Sequence, residues 1–318
     1  MSEVVDVSIV VVNYNTFDLT CACVDSIISL TQEVKYEIII VDNASTERDA
    51  DAFLFRYPQV KLIRNEVNVG FGIANNQAMA IAKGTYFLLI NSDCYLLNNA
   101  IDLTFRFAQA RPEISVLGAT VVGKEGLQVT HYKRVRINWW SPVRAALLLN
   151  PGVARAMRWI KTEQHTGIGG LFGTYVWLQR GVYEAVGGFD PDFFMYCEDT
   201  EWFRKRIAPK YMIDICKEAR VFHLEGGSGT NAIVNPQKVL SYYLYWYKMG
   251  KAYFWLYAVI SFLNLPFLIL FAPFMSRLER LRNVAYTRTL LRLMPRLLFD
   301  IPQYSNRFGG RGAPLRVG

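Results

Sequence analysis

Thr85-Tyr86-Phe87-Leu88-Leu89-Ile90-Asn91-Ser92-Asp93-Cys94 is a continuous apolar run that ends abruptly in small polar residues and one carboxylate. A strand of a parallel sheet reads this way, because helices on both faces leave it no polar side to alternate with. In open α/β sheets ligands bind just beyond the carboxyl ends of the strands, which puts Asp93 at the rim of a cleft.

The residues before this stretch repeat the pattern. Val7-Ser8-Ile9-Val10-Val11-Val12-Asn13 is a β-branched strand, and Tyr14-Asn15-Thr16 supplies a turn and a helix N-cap. A helix follows over about residues 17–30, with Leu19, Cys23, Ser26, Ile27 and Leu30 expected on its inner face. The second strand, Tyr36-Glu37-Ile38-Ile39-Ile40-Val41, also closes on a carboxylate, in Asp42-Asn43-Ala44-Ser45. A third strand over 61–64 and a helix over about 72–82 complete an alternation that predicts a parallel sheet with right-handed crossovers.

Beyond Asp93 the pattern continues with a helix over about 99–110 and a strand over 114–122. It resumes at Gly167 with Gly169 and Gly170, a strand over 174–178, a helix over 181–186 and the turn Gly187-Gly188-Phe189-Asp190-Pro191-Asp192. Phe193-Phe194-Met195-Tyr196-Cys197 then leads into Glu198-Asp199 at the start of a helix over 200–207, where the helix dipole favours carboxylates. A last strand over 219–223 ends on His223. The strand-end carboxylates Asp42 and Asp93, the pair Glu198 and Asp199, and His223 all stand at the ends of apolar segments, which suggests one shared cleft.

Composition sets the frame around this core. A chain of 318 residues suits one large α/β domain with an appendage, here 1–235 and 236–318, with an insertion over 124–166. Its 52% hydrophobic content, with 18 Tyr, 20 Phe and 7 Trp, makes membrane contact plausible. Five cysteines without a C-x-x-C pair, and no secretory leader at the start, argue for reduced thiols in a cytosolic compartment and against structural zinc.

The net charge of +8 is concentrated in two patches: residues 124–161 carry 8 basic side chains against 1 acidic, and 277–318 carry 9 against 2. In the first, Lys133, Arg134, Arg136 and Arg144 interleave with Trp139 and Trp140. That suits either a loosely packed surface insertion or a flap on lipid headgroups, and disfavours nucleic acid as the partner. Ala252 to Ser276 holds no charge for 25 positions, enough to span a bilayer, but Asn264, Pro266 and Pro273 interrupt it. Arg288, Arg292 and Arg296 then recur every four residues, with Leu290, Leu291, Met294, Leu297 and Leu298 opposite, as in a helix lying in the membrane plane with Pro295 as its kink or stop. Basic residues after the apolar segment favour in-plane or re-entrant association with an anionic, cytoplasmic membrane face over a single span.

Asn13-Tyr14-Asn15, Val41-Asp42-Asn43-Ala44-Ser45, Asn68-Val69-Gly70-Phe71-Gly72-Ile73-Ala74-Asn75-Asn76, Asn91-Ser92-Asp93, Glu198-Asp199 and His223 together resemble the successive signatures of family 2 glycosyltransferases with the GT-A fold, over about residues 7–230. The Asn-Val-Gly-Phe run is similar to that of bacterial rhamnosyltransferases that build on a polyprenyl diphosphate. The resemblance implies an inverting transferase that moves a sugar from a nucleoside diphosphate donor to a polyprenyl-diphosphate-linked saccharide at the bacterial inner membrane. It implies a donor site of Asn15, Asp42, Asn43, Gly70, Asn75, Asn91, Ser92 and Asp93, with Asp42 at the base. Asp93 and His223 would hold Mg2+ or Mn2+, and Asp199 would be the general base. Gly169, Gly170, Asp190 and Glu198 would shape the acceptor side. One departure from the family pattern is Asn91 at the first position of the D-x-D motif, which leaves Asp93 as its single carboxylate.

Two other readings compete. A dinucleotide-binding oxidoreductase needs a glycine fingerprint after the first strand, where Asn13-Tyr14-Asn15-Thr16 stands instead. A catalytically inactive, membrane-attached scaffold would explain Asn91.

Overall fold

The computed structural model describes residues 4–148, 167–224 and 234–300, apart from 271, 272 and 274. The chain forms two compact units. The first comprises residues 1–134, 166–191 and 202–229, and the second 135–165, 192–201 and 230–318. This division differs from a single cut at 235: most of the insertion and the segment carrying Glu198 and Asp199 group with the C-terminal residues.

The first unit is built on a mixed sheet. Strands β1 (Val7–Asn13), β2 (Tyr36–Asp42), β3 (Lys61–Arg64) and β4 (Tyr86–Asn91) pair in the order β3-β2-β1-β4, all parallel. The order reverses between β1 and β4, the position in an open α/β sheet where a crevice forms. Val10, Ile39, Phe87 and Leu89 pack on one face, and Ile9, Ile38, Ile40, Leu88 and Ile90 on the other. Burial on both faces explains why 85–90 reads as an unbroken apolar run.

Past β4 the mostly parallel sheet expected of the GT-A fold becomes mixed. Strand order continues with β10 (Tyr175–Gln179), β6 (Ile114–Gly123), β11 (Met212–His223) and β5 (Cys94–Leu96). β10 is antiparallel to both β4 and β6, and β5 is antiparallel to β11. Apolar strand residues carry no mark of direction; the connection sets it, and no crossover helix leads directly into β10. A short hairpin strand β7 (Gly126–Leu127) folds back on β6, and β8 (His131–Lys133) pairs with β9 (Ile168–Leu171) in a separate ribbon. β11 is 12 residues long where sequence suggested five, because its polar residues and a register shift between Cys216 and Arg220 mask the pattern.

Helix Phe17–Leu30 buries Phe17, Thr20, Cys21, Cys23, Val24 and Ile27. The expected inner positions Leu19, Ser26 and Leu30 are only half-buried, so the true stripe is rotated from the one read off the sequence. The helix expected over 200–207 begins at Glu198 and passes after Glu201 into a wider π-helical turn, Trp202–Ile207.

The second unit is helical. Helices Trp140–Leu147, Pro236–Met249, Lys251–Leu263, Leu265–Leu270 and Arg277–Pro295 contribute to it, around a core that includes Phe193, Leu240, Tyr243, Leu244, Phe254, Tyr257, Leu290 and Leu293. The uncharged run after Lys251 is broken at Asn264, whose buried amide donates to the Ala146 carbonyl at 3.3 Å. Among the described residues no helix is long and apolar enough to cross a membrane. The basic helix starts with a capping box between Ser276 and Glu279. Leu290 of this helix and Leu297 just past it are buried in the unit's own core while Leu291 and Met294 face outward, so the face expected to meet lipid is in part internal packing.

Candidate active site

Polar residues gather at the carboxyl ends of β1, β2 and β4. Asn13 and Asp42 are register partners at the last positions of their strands, and the buried Asn13 amide donates to Asp42 Oδ1 at 2.7 Å and to Ser45 Oγ at 2.9 Å. Asp42 Oδ2 accepts the Ser45 N–H at 3.1 Å, so the buried carboxylate is held through both oxygens. Asn13 Oδ1 accepts from Thr16 and Thr20, and Thr16 Oγ1 lies 3.0 Å from Ser92 Oγ, tying the β1 loop to the β4 loop. Asn15 takes a left-handed φ of 52°, and its Oδ1 accepts the Thr46 N–H at 2.8 Å. Asparagine tolerates that backbone better than most residues.

Asn43 organises the neighbouring loop. Its amide donates to Asn68 Oδ1 at 2.9 Å and to the Gly70 carbonyl at 3.2 Å, and its Oδ1 accepts from the Val69 N–H and the Asn65 amide. Gly70, at φ 90°, then turns the chain into helix Phe71–Ile81, a conformation a side chain would strain. Asn75 is buried in that helix and caps the Phe71 carbonyl at 2.9 Å.

Asn91 ends β4 opposite Val12, and its N–H donates to the Thr174 carbonyl at 3.2 Å. Two residues on, Asp93 Oδ1 lies 3.4 Å from His223 Nε2, the two side chains being 13% and 15% exposed. The β5–β11 pairing causes this approach, since His223 is the register partner of Cys94. Asp93, Cys94 and His223 are a group of potential metal ligands whose donor atoms lie within 4.8 Å of one another. Cys94 fits that role poorly: burial pushes its thiol well above the ordinary cysteine range, and Sγ faces the Thr174 carbonyl at 3.8 Å. A carboxylate and an imidazole remain, a donor pair that suits Mg2+ or Mn2+ completed by phosphate oxygens and water. On the far side of the ring, Nδ1 lies 2.9 Å from Gln128 Oε1.

Glu198 and Asp199 belong to the second unit. Tyr196 and Cys197, just before them, both adopt left-handed φ values, 69° and 68°, which are strained for non-glycine residues. Helix Pro236–Met249 holds this turn: Ser241 Oγ donates to the Met195 carbonyl at 2.6 Å, and the Asn235 amide to Tyr196 Oη at 3.0 Å. Burial, and then the neighbouring Asp199, push the Glu198 carboxyl above the ordinary range, and Glu198 Oε2 has no hydrogen-bond partner among the described residues. Asp199 Oδ1 accepts from both the N–H and the hydroxyl of Thr200.

Gly169 and Gly170 lie in β9, where a Cβ would press on Lys133 and Arg134 backbone atoms or on the Tyr132 and Phe203 side chains, so close packing requires glycine at both. Asp190 follows Phe189, whose backbone is clasped at both N–H and carbonyl by the Asn76 side chain. The first unit thus brings Asn15, Asp42, Asn43, Gly70, Ser92, Asp93 and His223 into linked networks at the strand ends. Sequence reasoning passed over Asn13, Thr16, Ser45 and Asn68 as site residues, although all but Thr16 lie within the quoted motifs. It also passed over Gln128, which carries no local signal.

The profile of the family described as "Glycosyl transferase family 2" matches residues 8–177. Over 117 residues the chain is 36% identical to a poly(ribitol-phosphate) beta-glucosyltransferase of Bacillus spizizenii, covering 35% of this chain and 18% of that one. Over 193 residues it is 26% identical to an N-acetylglucosaminyl-diphospho-decaprenol L-rhamnosyltransferase of Mycobacterium tuberculosis, covering 55% of this chain and 62% of that one. Both matches thus span less than two thirds of the relative's length. Among solved structures, GalNAc-T7 with UDP, GalNAc and Mn2+ shares the fold at a TM-score of 0.57 and 18% identity, covering 94% of this chain and 58% of that one.

Proposed function

The chain belongs to glycosyl transferase family 2, and from that premise we propose that it transfers a sugar from a nucleoside diphosphate donor to a polyprenyl-diphosphate-linked saccharide. The approach of Asp93 to His223 at the end of β4 carries this reading. Asp93 and His223 would hold a divalent cation, which would supply charge neutralisation for the departing diphosphate. The Asn13, Asp42, Ser45 and Asn43 networks fix the strand-end loops that receive the nucleotide. In the transfer itself Asp199 takes the proton of the acceptor hydroxyl. The acceptor oxygen bonds to the anomeric carbon as the bond from that carbon to the diphosphate breaks, so configuration inverts. One carboxylate suffices, unlike glycoside hydrolysis, which uses two across the scissile bond.

The donor screen that tests this compares dTDP-rhamnose, UDP-glucose, UDP-galactose and GDP-mannose by thermal shift, with and without Mn2+. The expected outcome is one selective, metal-dependent shift, lost in Asp93→Ala. A scaffold without chemistry predicts no Mn2+-dependent hydrolysis of any of the four. The rhamnose donor is favoured by the mycobacterial relative's name and by the Asn-Val-Gly-Phe run at 68–71.

With a polyprenyl-linked acceptor, the second unit would work at the cytoplasmic face of the bacterial inner membrane. Helix Lys251–Leu263 supports this, because Trp255, Val259 and Leu263 are 51%, 49% and 60% exposed and, at four-residue spacing, form one outward apolar stripe. A reporter fused after Gly318 tests the orientation: cytosolic activity is expected, and robust activity outside the membrane would overturn it.

A further inference from the structure

We propose that Gln128 is a positioning residue that locks His223 in the tautomer with its proton on Nδ1, so that the Nε2 lone pair faces Asp93. The proposal rests on the reading of Asp93 and His223 as metal-holding residues. Imidazole ligands are commonly set by the hydrogen bond on their other nitrogen, and the partner there governs affinity as well as ring orientation.

The geometry decides which way the Gln128 amide points. Its nitrogen Nε2 donates to the His223 carbonyl oxygen at 3.3 Å, and a carbonyl can only accept. That leaves Oε1 toward the ring, 2.9 Å from Nδ1, and an amide oxygen can only accept. The proton between them therefore belongs to Nδ1. Both polar ends of one side chain grip one residue, fixing its backbone and its ring together. In the neutral ring Nε2 then has no proton to give Asp93 at 3.4 Å; two lone pairs face a common space, the arrangement a cation stabilises.

The hairpin between β6 and β7 is built for this clasp. Gln128 leaves β7 with its N–H on the Val121 carbonyl at 2.9 Å, and Gly126 makes the turn at φ 112°. At Gly123 a Cβ would fall 2.1 Å from Gln128 Nε2, so glycine there keeps the space the amide occupies. Two features of the hairpin thus serve one side chain, in a stretch that otherwise looks like ordinary surface loop.

The test uses the full chain and has two arms. His223 is one of three histidines, so its ring nitrogens can be assigned by 15N NMR on the metal-free protein at a pH where the ring is neutral. The Nδ1–H form is expected in the unaltered protein and in Gln128→Glu, which keeps an acceptor for Nδ1. A shift toward Nε2–H is expected in Gln128→Ala and in Gly123→Ala, which leaves both partners present but displaces the amide. A merely structural Gln128 would leave the tautomer unmoved, and finding Nε2–H in the unaltered protein would overturn the proposal outright. In the second arm, Mn2+ is titrated calorimetrically into the protein with UDP. Gln128→Ala is expected to weaken Mn2+ binding by about 10- to 100-fold, and equal affinity would also overturn the proposal. No Mn2+ binding by the unaltered protein would instead sink the metal reading of Asp93 and His223, while the metal-free NMR arm still decides the role of Gln128.

Discussion

Glu198 and Asp199 are adjacent carboxylates in different circumstances, and the difference is testable one residue at a time. Asp199 Oδ1 accepts from the N–H and the hydroxyl of Thr200, and in the proposed reaction this carboxylate takes the acceptor proton. Asp199→Asn is expected to keep donor binding while turnover falls by about 10²-fold or more, read from initial rates beside a donor titration. Glu198 is different, because burial and the charge of Asp199 raise its pKa. Over the window from the ordinary carboxylate range up to that raised value, the folded chain keeps a proton that the unfolded chain has released. Stability therefore falls as pH rises through this window, with a limiting slope of about 1.4 kcal/mol per pH unit for one proton, and levels off above it. Glu198→Gln should flatten the fall and raise the melting temperature near neutral pH, which a pH series of thermal melts measures. An unchanged pH profile would mean Glu198 is ionised in the folded protein.

At the level of elements, Asn43 shows how a strand end, a loop and a helix start are made into one piece. Removing its side chain leaves the Val69 N–H and the Asn65 amide without this acceptor, in a loop that leads into helix Phe71–Ile81. Asn43→Ala is expected to cost about 1–3 kcal/mol, read as a lower urea midpoint with an unchanged slope. The strands carrying Asn13, Asp42 and Asn91 were legible in the sequence because burial on both faces demands unbroken apolar runs. Two strands were read only in part, for physical reasons. Tyr175–Gln179 is as apolar as its neighbours, so its antiparallel direction left no trace, and Met212–His223 alternates and shifts register where Lys217 and Glu218 face outward. Of the site, Asp93 and His223 were legible as strand-end groups, whereas their partnership depends on the pairing of β5 with β11, which no local pattern encodes. Gln128 was hidden for the same reason: its role comes from a hairpin closing on a strand 95 positions away in the chain.

On the scale of the whole chain, charge is divided unequally between the two units. The first carries 18 Lys and Arg against 20 Asp and Glu, while the second carries 17 against 7. The same unit exposes Trp139, Trp140 and Trp255, and under the proposed membrane location an anionic bilayer surface would draw on both the charge and these rings. The two contributions separate by salt. Attraction between basic side chains and lipid headgroups is worth about 1 kcal/mol per residue near the surface and is screened as the Debye length shrinks from about 10 Å at 0.1 M salt to about 3 Å at 1 M. Apolar insertion of the Trp255, Val259 and Leu263 stripe is not screened. Cosedimentation with vesicles of anionic lipid should therefore weaken steeply with salt yet keep a residual. Val259→Asp should remove that residual without lowering the melting temperature, because this side chain faces outward from the helix. Binding that is equal on neutral and anionic vesicles, or unaffected by salt, would show that the basic excess of the second unit serves something other than the membrane.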